Sequence, residues 1–404
     1  MRITVLTLLA CITSLSISAQ EISFGLGGNT GNPVVNPDKT VTFTFRAPDA
    51  AKVEIEAGFL PPREIETPWG KMISNGRVTL PKSADGIFSY TSAPLESDYY
   101  NYSVYIDGVR VVDPGNVYHA RDIASLNNYF IIPGGKGDLF DVQDVPHGSV
   151  AKVWYPSPRS GYAQRRMSIY TPPGYNPMDR KTRYPVLYIM HGIGGDENAW
   201  VEGGRLPQVL DNLIASGKAL KMIVVVTNSN MSQQAAPGNG PDGRPRPQLM
   251  VPGNMDGQFE ESFPDVVEFV EKNYNAYKDK AHRALAGLSM GGFHTVYISA
   301  NYPDFFDYVC PLSAALNDHS DTQAARDSYI YKDLDAKLDR QFRKAPKLYW
   351  IACGNADSLF GNNLDFCAKL DAKGYKYTFV ETEGGHTWQN WRDYLTRFVP
   401  LLFK

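Results

Sequence analysis

Apolar and polar residues alternate with a period of two through the first third of the chain. Val41-Thr42-Phe43-Thr44-Phe45-Arg46 and Lys52-Val53-Glu54-Ile55-Glu56 carry the pattern of half-buried strands, and residues 86–90 and 100–106 continue it. Asp107-Gly108 then predicts a hairpin turn into a further strand at 109–112. Short strands punctuated by Pro, Gly and Asn predict an all-β sandwich over residues 20–135. Residues 136–160 have the Pro- and Gly-rich composition of a linker, one that can end in the first strand of the next unit. Beyond about residue 161 the period changes. Continuous apolar runs at 185–190, 222–227, 283–287, 308–313, 347–353 and 377–381 predict buried strands. Helical spacing predicts helices over 260–274, 290–301, 323–342, 364–373 and 388–398. Alternation of this kind implies a three-layer α/β unit with a mostly parallel sheet over residues 161–404.

Composition agrees with two folded units. The chain has 404 residues, and domains run at about 150 residues each. Hydrophobic residues make up 43% and charged residues 21%, which excludes a disordered or polytopic membrane protein. Net charge is −3 without a basic block, so a nucleic-acid partner is not expected. Residues 1–19 join one positive charge to a short apolar run and end on a small residue. This is the pattern of a secretory signal, too short for a transmembrane segment, and it predicts export to the periplasm or beyond. A lipoprotein cleavage box at Leu8-Leu9-Ala10-Cys11 ranks below cleavage after Ala19. Cys310, Cys353 and Cys367 remain; only Cys353 and Cys367 are near enough in sequence to suggest a bridge, and mostly buried thiols are expected. His and Cys residues lack zinc-site spacing, so neither a metal nor another cofactor is expected.

The chemistry concentrates in four short stretches. Gly287-Leu288-Ser289-Met290-Gly291 falls between a predicted strand and a predicted helix. A strand-to-helix turn of this type exposes the serine on a strained backbone and needs small neighbours. A serine hydroxyl attacks only when a base takes its proton. His386, in the glycine loop before the last helix, is the expected base; His319 follows an earlier strand and is expected to line the cleft. Asp357, after the penultimate strand, is the expected acid orienting the imidazole. His191-Gly192-Ile193-Gly194-Gly195 follows another strand and is expected to supply oxyanion donors. Met290 gives one N–H; Ile193 is preferred for the second, with Gly192 and Gly194 left open. His191 reads as a structural anchor, and His294 as packing on the helix. The irregular segment 229–257 has no period and is either a surface loop or a substrate-binding loop, with Met231, Met250 and Met255 as an apolar wall.

Residues 163–400 resemble carbohydrate esterase family one, the feruloyl and acetylxylan esterases related to esterase D. The stretches 184–188, 191–200, 283–292, Phe305-Phe306 and Gly384-Gly385-His386 carry the likeness. It implies an α/β-hydrolase fold, a Ser289–His386–Asp357 triad and a feruloylated or acetylated plant cell-wall xylan as partner; Trp200, His319 and Met250 are the expected substrate contacts. Residues 43–50, 85–90, Asp107-Gly108 and Asp113-Pro114 resemble early-set, immunoglobulin-like domains, some of which are called carbohydrate-binding modules. Trp69, Tyr99, Tyr100, Tyr102 and Tyr105 either stack on sugars or fill the sandwich core. The expectation is an exported esterase releasing ferulate through an acyl-serine. Deacetylation of xylan, hydrolysis of a siderophore ester, and glycan binding by an inactive hydrolase are the alternatives.

Overall fold

The computed structural model describes residues 31–67, 70–179, 181–241, 253–316 and 322–404. The predicted signal segment, Trp69, Met250 and His319 lie outside the described residues.

The N-terminal unit is built from β1 (Val34–Val35), β2 (Val41–Arg46), β3 (Val53–Ala57), β4 (Arg63–Thr67), β5 (Gly70–Ser74), β6 (Gly76–Thr79), β7 (Ile87–Thr91), β8 (Tyr99–Ile106), β9 (Val109–Val111), β10 (His119–Asp122) and β11 (Ser125–Ile131). One sheet has the order β1-β2-β7; a second runs β10-β11-β8-β3-β6, with β9 paired to β8. Both contribute to one core that includes Phe43, Phe45, Ile55, Phe88, Tyr102 and Val104. Period two decides the fate of the tyrosines on β8. Tyr100 and Tyr102 turn toward this core, whereas Tyr99 joins the core of the following unit. Asp107 and Gly108 both have positive φ, 48° and 84°, as the predicted hairpin turn requires.

The second unit holds an eight-stranded mixed sheet of order β12-β13-β15-β14-β16-β17-β18-β19. Its strands are β12 (Ser149–Ser157), β13 (Tyr162–Thr171), β14 (Val186–Met190), β15 (Ile223–Val226), β16 (Arg283–Leu288), β17 (Tyr308–Leu312), β18 (Leu348–Gly354) and β19 (Thr378–Thr382). The first two strands are antiparallel additions; β15 through β19 pair in parallel. All residues of β14, β15, β16 and β17 are buried, because helices cover both faces. The helices are α1 (Ala199–Glu202), α2 (Leu206–Ala215), α3 (Gln258–Asn273), α4 (Met290–Asn301), α5 (Gln323–Asp327), α6 (Leu334–Arg343), α7 (Phe360–Ala372) and α8 (Trp388–Phe398). One core packs α2 and α8 against the sheet, and the other packs α3, α4, α6 and α7.

Two sequence expectations need correction. The linker expected over 136–160 gives way to strand much earlier than its end: residues 149–157 form the edge strand β12. Its register shifts at a bulge between Tyr155 and Ser157, which accommodates Pro156, and most of its residues are exposed. An edge strand with a bulge has little hydrophobic period to detect. The helix expected over 323–342 is broken into α5 and α6. Between them the chain dips inward to bury Ile330 against Met290 and Phe293, and Asp333 adopts φ 56° to restart the helix.

The two units share a seam. Phe140 is wholly buried and sits with Tyr99 in the core beside α2 and α8. Arg392 of α8, also buried, donates to the Tyr99 carbonyl and lies 4.1 Å over its ring. Asn212 of α2 donates to the carbonyls of Asp138, Leu139 and Asp141. The segment joining the units is thus tied down by buried polar bonds rather than free. No described helix is long and apolar enough to cross a membrane.

Candidate active site

Ser289 stands between β16 and α4 with φ 56° and ψ −117°, a conformation costing a non-glycine residue about 1–3 kcal/mol. The neighbours show why it is tolerated. A Cβ on Gly287 would lie 2.3 Å from the Gly291 carbonyl oxygen, and one on Gly291 would lie 2.6 Å from those of Met190 and His191. Gly292 abuts Ala314 at 2.8 Å by the same test. The three glycines let the turn close against neighbouring backbone, while Ser289 N–H donates to the Leu312 carbonyl at 2.9 Å.

His386 and Asp357 converge on this serine from the ends of β19 and β18. His386 Nε2 is 2.9 Å from Ser289 Oγ, and its Nδ1 is 2.9 Å and 3.0 Å from the two Asp357 oxygens. A carboxylate only accepts at this pH, so Nδ1 carries the proton and Nε2 faces the hydroxyl as acceptor. Burial works to raise the Asp357 carboxyl, but the His386 bond and charge and the Leu359 amide outweigh it and hold it below its ordinary value. The acid is therefore ionised wherever the imidazole needs orienting. Trp391 stands edge-on to the His386 ring at 4.9 Å and fixes its plane.

The oxyanion-type loop follows β14. Gly192 lies against Ser289; a Cβ on it would come within 3.1 Å of Ser289 Cβ. His191 is fully buried and accepts at Nε2 from the Ser229 amide, 3.0 Å, so Nδ1–H donates to the Gly192 carbonyl at 2.6 Å. Burial pushes its pKa down to about 4, so it stays neutral and acts as a brace. Glu197 anchors the other end, accepting from Arg166, Asn228 and the Ala236 amide. With Arg165 donating to the carbonyls of Asn228 and Asn230, the first part of the 229–257 segment is packed rather than a surface loop. His294 bonds Glu260 at 2.8 Å, both wholly buried, as expected for a packing residue.

Ser289, His386, Gly192 and Ile193 open into a cavity of about 810 Å³, within the usual range for ligand sites. Its opposite wall is the N-terminal unit: Phe59, Glu96, Tyr100, Arg121, Asp122 and Ile123. Ile123, with φ 52°, rests on Gly194, where a Cβ would be 2.9 Å from its side chain. Arg121 donates to Asp196 in the same loop, and Trp388 Nε1 reaches Asp122 at 3.4 Å. These residues sit in a short polar stretch without period, and nothing in the sequence marks them.

Trp200 is a correction. It is fully buried, donates its indole N–H to the Met190 carbonyl at 2.9 Å and meets Trp388 edge-on, so it supports the cavity from behind. Met231 likewise lies in the core beside α3, with Arg165 against its sulfur, while Met255 packs near Met290. Cys353 and Cys367 are separate buried thiols.

Fold and geometry together define an α/β-hydrolase with a Ser–His–Asp array at the ends of its parallel strands. Residues 161–402 match the Esterase family model, and the chain belongs to that family of carboxylic ester hydrolases. It is 28% identical over 378 residues, 92% of its length, to an endo-1,4-beta-xylanase/feruloyl esterase of Xylanibacter ruminicola, of which it spans 46%. An acetyl esterase of Caldicellulosiruptor saccharolyticus is 26% identical over 54% of this chain and 83% of its own. Among solved structures, a feruloyl esterase module from Clostridium thermocellum complexed with sinapinate aligns over 66% of this chain and 91% of its own, with TM-score 0.51 and 21% identity. The enterobactin esterase of Shigella flexneri aligns over 90% of this chain and 93% of its own, with TM-score 0.58 at 13% identity. That likeness extends the shared fold to both units.

Proposed function

We propose that this chain is an exported serine esterase that releases feruloyl groups from arabinoxylan through an acyl-enzyme. The observation that carries the reading is the continuous bond series Asp357–His386–Ser289 opening into a cavity large enough for an aromatic ester. Ser289 Oγ attacks the ester carbonyl while His386 Nε2 takes its proton. Negative charge on the carbonyl oxygen meets the Met290 N–H at the start of α4 and an N–H of the loop at Gly192-Ile193. Collapse expels the sugar alkoxide, which takes the proton from His386. Water then attacks the acyl-serine with His386 again as base, and ferulate leaves. The apolar run in residues 1–19 supports export, and the xylanase/feruloyl esterase relative supports xylan as the polymer. Residues 20–135 are read as an early-set, immunoglobulin-like unit.

The acid set free from an arabinoxylan digest, with Ser289→Ala as control, tests this. Ferulate release lost in the variant is expected. Acetate alone would replace the acyl group with the smaller one, and no acid from any ester would overturn the reading.

A further inference from the structure

The proton that reaches the departing alcohol comes from His386 Nε2, so the alcohol half of a bound ester must lie beside that ring. The residues after it, Thr387, Trp388 and Gln389, line the cavity on that side. Next across the gap stands the N-terminal unit, at the Trp388–Asp122 contact. Its wall is polar where it faces this half. Asp122 is open to the cavity, and Trp388 is its one hydrogen-bond partner among the described residues. Glu96 is exposed on the same wall, and Tyr100 lines it too, its hydroxyl donating to the Glu96 carbonyl. Arg121, by contrast, is committed to Asp196 and to the Ile123 carbonyl.

We propose that Asp122 and Glu96, with the rings of Tyr100 and Trp388, form a subsite for the sugar whose hydroxyl carries the ester. This rests on the ester-hydrolase reading above. Two carboxylates are acceptors with several unfilled positions, and sugar hydroxyls are the donors that fill them. An aromatic acyl group here would desolvate both carboxylates and return no hydrogen bond, an unfavourable exchange. Desolvation by the surrounding walls raises the Asp122 carboxyl, outweighing the Trp388 bond and the charges of Arg121 and Arg110. The N-terminal unit is then part of the active site rather than a separate sugar-binding module.

The test uses the full chain carrying Ser289→Ala, titrated calorimetrically with an arabinose-substituted xylo-oligosaccharide up to millimolar concentration. Binding is expected, with affinity falling at least ten-fold when Asp122→Ala and Glu96→Ala are added. In the otherwise wild-type chain, Asp122→Ala should lower the ratio of kcat/KM on a feruloylated sugar to that on methyl ferulate by at least ten-fold. Absent binding to Ser289→Ala, or equal affinity in the added variants, overturns the subsite. Sugar binding that depends on Asp122 and Glu96, with no ferulate released by the wild type, would sink the feruloyl assignment and leave the subsite standing.

Discussion

Arg121, on β10 near the turn of a hairpin in the N-terminal unit, ion-pairs with Asp196 in the loop beside Ser289. Asp196 is 1% exposed and Arg121 is 25% exposed, so the pair reaches from the cavity wall into the protein. It joins the two units at the point where one holds the oxyanion-type loop of the other.

Arg121→Ala leaves the buried Asp196 carboxylate with the Asn198 amide but no countercharge from Arg121. Removing one member of a buried pair costs about 3–5 kcal/mol, reduced here to about 2–3 kcal/mol because solvent reaches the arginine. Denaturant unfolding should register this loss, and kcat should fall more than KM changes if, as proposed, the loop positions oxyanion donors rather than substrate. Unaltered stability would show that the pair is an ordinary surface contact.

Deleting residues up to 135 should abolish turnover even of a small ester. Arg392 would lose the Tyr99 carbonyl and ring, and Ile123 would no longer cover Gly194. A folded, monomeric truncate with wild-type activity on a nitrophenyl ester would contradict the shared seam.

Asp357→Asn keeps the shape but lets the amide donate to Nδ1, which favours the wrong imidazole tautomer. By analogy with other triads kcat should fall by about 10⁴. Single-turnover kinetics on methyl ferulate measures it, and a loss under ten-fold would remove Asp357 from its role.

Acid sensitivity has two separable windows. His191 has a folded pKa of about 4, below the free value of 6.5, so the unfolded chain binds the proton first. Its contribution is complete above pH 6.5 and declines as pH falls toward 4, by about 3 kcal/mol in all. Asp357 is depressed below 3.8, so its contribution is present above that value and lost only beneath it. Unfolding free energies at pH 7 and pH 4.5 should differ in the wild type and differ less in His191→Gln. Equal differences in both proteins would assign the effect elsewhere.

Trp200→Phe leaves the Met190 carbonyl without its buried donor and should cost about 1–3 kcal/mol of stability. KM for methyl ferulate should stay within about two-fold, since the ring stands behind the cavity wall. A ten-fold rise in KM would restore Trp200 as a substrate contact.

Periodicity and spacing determined a good deal by themselves. The runs at 185–190 and 283–287 read as buried strands because parallel strands are apolar on both faces, and β14 and β16 fall there. Ser289, Asp357 and His386 were legible because each follows a strand in a glycine-marked loop, and chain order restricts which acid and base can meet the serine. Local signals were too weak for β12, where exposure and a bulge erase the period, and for the break after α5, which tertiary burial of Ile330 enforces. Trp200 shows the limit of residue type: an aromatic in a motif reads equally as ligand contact or core, and only its surroundings separate the two. The cavity's second wall was decided by the tertiary structure alone. Glu96, Arg121 and Asp122 line the same cavity as Ser289 because one face of β8 and β11 docks on another unit's core. Docking of that kind depends on the shape and burial of assembled surfaces, and short-range sequence patterns do not encode it.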